Sequence, residues 1–356
     1  MPHPFDVALK HAQAFRASLP DRPPRPTVSA GELALRLGGP TPEPGEDGAA
    51  VIAALAEAAE PGLMGVAGPR FFGWVIGASH EVGVAADWLT SAWGQNAGMY
   101  VGSPAAAVVE ETAARWLVDI LRLPPECSVG FVTGATMANF VGLAAARNAV
   151  LRRVGWDVEE QGLQGAPRVR VLIGEDAHTT VFAALRFLGL GAATAERIAT
   201  DSQGRMDADA LEHALAQTDG PCIVIAQAGQ INTGAFDPIA RIASACRARG
   251  AWLHIDGAFG LWARAVPELA HLAEGMEHAD SWATDGHKWL QVPYDCGYVF
   301  VRDPEAHRRA MIIAASYLPQ ALTEYDAANF APELSRRARG FATWAMIRHL
   351  GRAGIT

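Results

Sequence analysis

The sequence predicts an α/β protein built on a seven-stranded, mostly parallel sheet with helices on both faces. Three observations carry this. After Pro124, short β-rich runs alternate with helical stretches, the grammar of a parallel sheet crossed by helices. The last two runs are joined by Asp285–Cys296, which holds Pro293 and no full helix. A parallel crossover needs about a dozen residues or more and usually a helix, so the final strand is expected to run antiparallel. Half of the 356 residues are hydrophobic and 19% are charged, enough apolar material for a large core.

Residues 1–70 read as an arm, because Asp21–Pro26 and Gly39–Pro44 are proline-rich breaks that cannot continue a helix. Ala49–Ala59 reads as one short amphipathic helix within it. Helical patterns follow over Glu81–Trp93 and Pro104–Leu123, the second with apolar positions at Val108, Val109, Trp116, Leu117, Ile120 and Leu121. Strands are expected near Gly130–Thr133, Val169–Ile173, Arg197–Ala199, Cys222–Ala226, Trp252–Ile255, Trp282–Thr284 and Tyr298–Val301. Helices near Thr136–Val150, Thr179–Leu188, Asp207–Ala216 and Pro238–Arg249 separate many of them. The expected organisation is an arm over 1–70, a large domain over 71–305, and the start of a smaller domain over 306–356. A final helix over Phe341–Leu350 puts Phe341, Trp344, Ala345 and Ile347 close to one stripe, with Leu350 following.

Composition excludes several classes. Lys plus Arg total 29 against 38 Asp plus Glu, a formal charge of −9, which disfavours nucleic acid as the main partner. No apolar run approaches the roughly 20 residues that span a bilayer. The start, Met1–Asp6, lacks the basic and apolar regions of a signal peptide. Cys127, Cys222, Cys246 and Cys296 form no CxxC pair, which argues against a disulfide framework or a CxxC metal site and suits a cytoplasmic location.

Four features carry chemistry. In Asp285-Gly286-His287-Lys288-Trp289, a lysine at a strand end is flanked by apolar Trp289 and Leu290. Desolvation lowers an amine's pKa, which suits a Schiff-base nucleophile, although a surface lysine at a strand end has the same local sequence. In His254-Ile255-Asp256-Gly257-Ala258, an aspartate closes a β-run one strand before Lys288, at the edge where parallel sheets place ligand groups. There it either holds a protonated pyridine nitrogen or caps the next segment. In Phe131–Asn139, a strand meets a helix through the small turn Gly134-Ala135-Thr136, which fits a phosphate on a helix N-terminus yet is common in α/β proteins. In Glu175–Thr180, His178 either stacks on a planar cofactor or caps the helix after it.

Taken together, these residues resemble the pyridoxal phosphate (PLP)-dependent decarboxylases of fold type I, the group of aromatic amino acid, histidine and glutamate decarboxylases. The resemblance runs from about Arg70 to the end and is densest over Phe131–Arg302. It implies the fold type I transferase architecture with pyridoxal 5'-phosphate as cofactor. His178 falls at the ring-stacking histidine, Asp256 at the pyridine-nitrogen aspartate with Ala258 behind the ring, and Lys288 at the Schiff-base lysine, with His287 beside it. Ala135 and Thr136 fall at the phosphate, and Gly234–Pro238 also has its counterpart. This chain departs from the pattern at Gly229–Thr233, where relatives often have Gly-Thr-Thr, and at Asp285, where they often have Asn. A carboxylate does not favourably face a phosphate, so Asp285 is expected on a backbone or cationic partner.

The resemblance implies decarboxylation of an L-amino acid to its amine and CO2 through a Lys288 Schiff base, in a homodimer. It places the proton donor on the segment Tyr317–Phe330, with Tyr325 the nearest candidate, and the substrate pocket near Asn96, Gly98 and Tyr100. No metal is implied. No arginine pair awaits a second carboxylate, which disfavours a dicarboxylic substrate. Two rivals share the lysine and aspartate: an aminotransferase and an aldehyde-forming oxidative deaminase. A third is a non-catalytic relative or inactive fragment that binds partners. The small domain of the family is only begun by residue 356, so low stability and weak activity are expected of this chain, with rescue by downstream sequence.

Overall fold

The computed structural model describes residues 2–313 and 325–356 and divides into two compact units, Met1–Ala78 and Ser79–Thr356. The division falls at 78/79 rather than at 70/71, and residues 325–356 lie inside the second unit rather than apart from it. In the first unit α1 (Pro4–Ser18), α2 (Ala30–Leu37) and α3 (Gly48–Ala59) are separated by the proline breaks. Each helix begins where a side chain takes up first-turn amides: His3 for α1, Asp47 for α3, and Ser29 with Glu32 as a capping box for α2.

The second unit opens with α4 (Glu81–Trp93) and α5 (Pro104–Ile120), then alternates strand and helix. Its elements are β1 (Ser128–Val132), α6 (Ala135–Arg152), α7 (Val158–Gln161), β2 (Arg170–Gly174), α8 (Thr179–Phe187), β3 (Glu196–Ile198) and α9 (Ala208–Ala216). There follow β4 (Cys222–Gln227), α10 (Ile239–Arg249), β5 (Trp252–Asp256), β6 (Ser281–Asp285), β7 (Gly297–Val301), α11 (Pro304–Met311) and α12 (Gly340–Ile355). The sheet order is β1-β7-β6-β5-β4-β2-β3. All seven expected strands form, and β7 runs antiparallel to both neighbours, as the short link before it requires. The others point the same way, so the C-terminal ends of β1, β2, β4, β5 and β6 share one edge.

One apolar layer, with Leu117, Leu172, Leu253, Trp262, Trp282 and Phe300, and another, with Val141, Ile173, Leu185, Ile225 and Val299, cover the two faces of the sheet. The expected α12 stripe is rotated, and of the apolar positions expected on α5, Leu117, Ile120 and Leu121 are buried. On α5 the buried face is Ala106, Ala107, Glu110, Ala113, Ala114, Leu117, Val118 and Ile120, while Val108 is exposed. On α12 it is Ala342, Thr343, Met346 and Ile347, packed on α4 and α5. Trp344 lies at the rim, stacked on Trp116 at 6.1 Å. Small residues let the helices approach, so the bulky ones are displaced to the edges of the contact.

Candidate active site

The shared strand edge gathers residues that lie far apart in the chain. Gly297, the first residue of β7, sits between Val132 of β1 and Asp285 of β6. A Cβ on Gly297 would come within 2.5 Å of the Gly134 backbone, so only glycine lets the β1–α6 turn close here. The start of α6 is thereby brought onto Asp285, whose Oδ1 accepts the Ala135 amide at 2.6 Å. The Thr136 and Met137 amides of that first turn have no carbonyl within their own helix to bond, and Thr136 is exposed.

Lys288 follows β6, with Nζ 3.1 Å from Asp285 Oδ2 and 5.7 Å from the Phe259 ring centre. Asp285 therefore has both kinds of partner expected of it. His287 Nδ1 accepts the Cys296 amide at 3.1 Å, which leaves Nε2 to donate to Asp285 Oδ1 at 3.3 Å. Burial holds the His287 ring below its ordinary pKa, consistent with that neutral form.

Asp256 ends β5 and is buried. Its carboxylate accepts from Asn139 Nδ2 at 3.2 Å and from the Ala258 amide at 3.3 Å. Burial raises its pKa, opposed by the nearby charges of His178 and Lys288. His178 follows β2 and caps α8: its Nδ1 accepts the Thr180 hydroxyl at 2.7 Å and the Thr180 amide at 3.4 Å. Its own amide donates to Gln227 Oε1 at 3.1 Å, and the ring remains exposed. Capping and an open ring face coexist in this residue.

Asn96 Oδ1 accepts the Gly98 and Arg336 amides at 3.2 and 3.1 Å, and the Tyr100 amide donates to Asp326 at 2.7 Å. The Asn96–Tyr100 turn is thus committed to the 326–336 segment. Tyr325 is corrected as the donor beside Lys288. Its hydroxyl shares one proton between two acceptors, the Val129 carbonyl at 3.1 Å and Glu110 Oε1 at 3.4 Å. Val129 lies five residues before Gly134, about 16 Å away along the strand direction. The buried Glu110 carboxylate, which needs donors, accounts for this position. Of the segment Tyr317–Phe330, residues 317–324 lie outside the described residues.

The arrangement offers an amine, a buried carboxylate, an exposed imidazole and a helix start at one edge. The sequence matches the family described as the pyridoxal-dependent decarboxylase conserved domain over residues 37–356. The chain belongs to that family. This decarboxylase is 31% identical over 358 residues to an aromatic-L-amino-acid decarboxylase of Bacillus atrophaeus, across 98% of the chain and 72% of the relative. It is 33% identical over 324 residues to an L-2,4-diaminobutyrate decarboxylase of Rhizobium meliloti (strain 1021), across 87% of the chain and 62% of the relative. A crystal structure of an Oryza sativa TDC with PLP and tryptamine superposes with a TM-score of 0.91 at 27% identity, over 99% of this chain and 74% of that one. The cofactor of the decarboxylase is PLP, and its reaction is the decarboxylation of an amino acid. The residues at the strand edge fit that group: an amine for its aldehyde, a buried carboxylate for its ring nitrogen, and first-turn amides for its phosphate.

Two sets of participants escaped the sequence reading. Glu110 and Arg336 form a buried pair behind β1, and Asn139 and His254 lie behind Asp256. A carboxylate on an alanine-rich helix and an asparagine mid-helix both read locally as surface residues.

Proposed function

We propose that the protein decarboxylates an aromatic L-amino acid to the amine, with Lys288 as the covalent anchor of PLP. The observation that carries this is the convergence of Lys288, buried Asp256 and the start of α6 at one sheet edge. Asp256 keeps the ring nitrogen protonated, His178 stacks on the ring with Ala258 on its other side, and His287 flanks the phosphate end. Ala135 and Thr136 take the phosphate through the first turn of α6. When bound, PLP accepts the electrons released as the Cα–carboxylate bond breaks.

The aromatic substrate class is supported by the relatives matched along nearly the whole chain. A dicarboxylic substrate is disfavoured by the arginines next to the Asn96–Tyr100 turn. Arg336 is spent on Glu110 and Arg337 on Asp87. The working form is a homodimer, supported by Phe72 and Trp74, which are 91% and 72% exposed within the first unit. A cytoplasmic location accords with the four free thiols.

The test is product analysis. Purified PLP-loaded protein is given L-tryptophan, L-tyrosine, L-2,4-diaminobutyrate and L-glutamate separately, and CO2, amine, keto acid and aldehyde are quantified. Equimolar CO2 and amine from an aromatic substrate are expected. A keto acid or aldehyde without amine, or turnover of glutamate alone, would overturn the reading.

A further inference from the structure

Behind Asp256 lies a continuous row of buried polar groups. Trp252 Nε1 donates to Ser281 Oγ at 2.9 Å, and Ser281 Oγ lies 2.8 Å from His254 Nδ1. His254 Nε2 lies 2.9 Å from Asn139 Oδ1, and Asn139 Nδ2 donates to Asp256 Oδ2 at 3.2 Å. All five side chains are buried. The two ends decide what happens between them, because an indole N–H can only donate and an ionised carboxylate can only accept. Asn139 must then turn its amino group to Asp256 and its carbonyl to His254. His254 must carry its proton on Nε2, so Nδ1 accepts from the Ser281 hydroxyl, whose oxygen accepts from Trp252. Every donor points the same way.

The row is built, not incidental. A Cβ on Gly142 would approach His254 Cε1 to 2.8 Å and Nδ1 to 2.9 Å, so glycine on α6 makes room for the ring. Burial alone takes the His254 pKa down to about 3, so the ring stays neutral at neutral pH and has one proton to place.

We propose that Asn139 is a positioning residue for Asp256, the last link of a one-directional donor chain from Trp252 through Ser281 and His254 that fixes the carboxylate for the cofactor ring. This rests on the assignment of Asp256 to the ring nitrogen. Asn139 acts through the aspartate, which its amide holds.

The first measurement uses the protein without cofactor. Nitrogen-15 labelling of histidine, with His254→Gln to identify the signal, reads which ring nitrogen carries the proton. Protonation on Nε2 is expected, and protonation on Nδ1 would overturn the chain. The second compares PLP affinity, read by titration of cofactor absorbance, in Asn139→Asp and Asn139→Leu, which keep the volume of the side chain. Both remove the donor to Asp256, and each is expected to weaken PLP binding about ten-fold or more and to move the pH dependence of the cofactor band. Wild-type affinity and an unmoved band in Asn139→Leu would overturn the proposal. Asp256→Asn separates the two readings. If it too leaves affinity and band unchanged, the assignment of Asp256 itself fails; if it alone changes them, only the relay fails. Should the Asn139 variants not fold, the tautomer in the unmodified protein still decides.

Discussion

Arg336 and Glu110 form an ion pair at 2.8 Å with side chains 0% and 1% exposed. The guanidinium also donates to the carbonyls of Ala97 at 2.9 Å and Phe131 at 2.7 Å. One residue therefore ties α5, the Asn96–Tyr100 turn and β1 to the segment that begins at Tyr325. Burial pushes the Glu110 carboxyl up, and Arg336 opposes that shift. A buried pair adds little net stability over an apolar pair, but losing one partner strands the other charge. Arg336→Met is therefore expected to cost about 3–5 kcal/mol. Arg336→Met combined with Glu110→Leu is expected to recover part of that. Urea unfolding of the two variants measures it, and equal losses would show that stranded charge is not the cause.

Lys288→Ala is expected to leave no PLP adduct that borohydride can fix to the protein. Peptide mapping after reduction identifies the labelled lysine in the unmodified chain, and a label elsewhere would move the anchor.

Asp256→Asn keeps the shape of the side chain and removes the charge. The fold is expected to survive, as judged by circular dichroism, while turnover falls by several orders of magnitude because the ring is a weaker electron sink. Near-normal turnover would remove Asp256 from the chemistry.

Stability is expected to depend on His307 in a definite direction. Its Nε2 donates to the Phe330 carbonyl at 3.0 Å, which leaves Nδ1 of the neutral ring to accept from the Ser128 hydroxyl at 2.8 Å, and burial lowers its pKa to about 3. Unfolding returns it to about 6.5, so the unfolded chain binds the extra proton between these values. The contribution is fully present above about pH 6.5 and drains away as pH falls toward 3. Relative to His307→Gln, the parent chain should lose about 1.4 kcal/mol of additional stability per pH unit within that window. Urea titrations at pH 7, 6 and 5 read the difference, and parallel slopes would refute it.

Sedimentation at assay concentration is expected to give a dimer, with Phe72→Ser plus Trp74→Ser shifting it toward monomer. A fully active monomer would sink the homodimer reading.

The strands were legible because each is a short β-rich run between turn residues, and the strand-end position of Asp256 and Lys288 follows from counting them. His178 was legible only as two alternatives, of which the structure shows the helix cap. Asn139 was not legible, since its partners His254 and Asp256 are more than a hundred residues away in the chain and no local pattern marks a mid-helix amide as buried. Glu110 escaped for the same reason, and with it the position of Tyr325. The face of α12 was legible only in part, because Ile347 is buried as expected while Trp344 lies at the rim. Alanine, glycine and threonine line the contact together with Leu117, Met346 and Ile347.

The position of β7 sets the order in which this protein is completed on the ribosome. Among the described residues β1 has no other strand neighbour, and its first residue pairs with Val301, 173 positions later in the chain. Until that stretch has left the exit tunnel, β1 waits as an unpaired edge and the Gly134 turn has no fixed distance to Lys288. The start of α6 and the end of β6 therefore come to share one sheet only when a five-residue strand is inserted between β1 and β6. Such distant pairing is slow to close, so β1 is expected to be the last strand locked into the sheet.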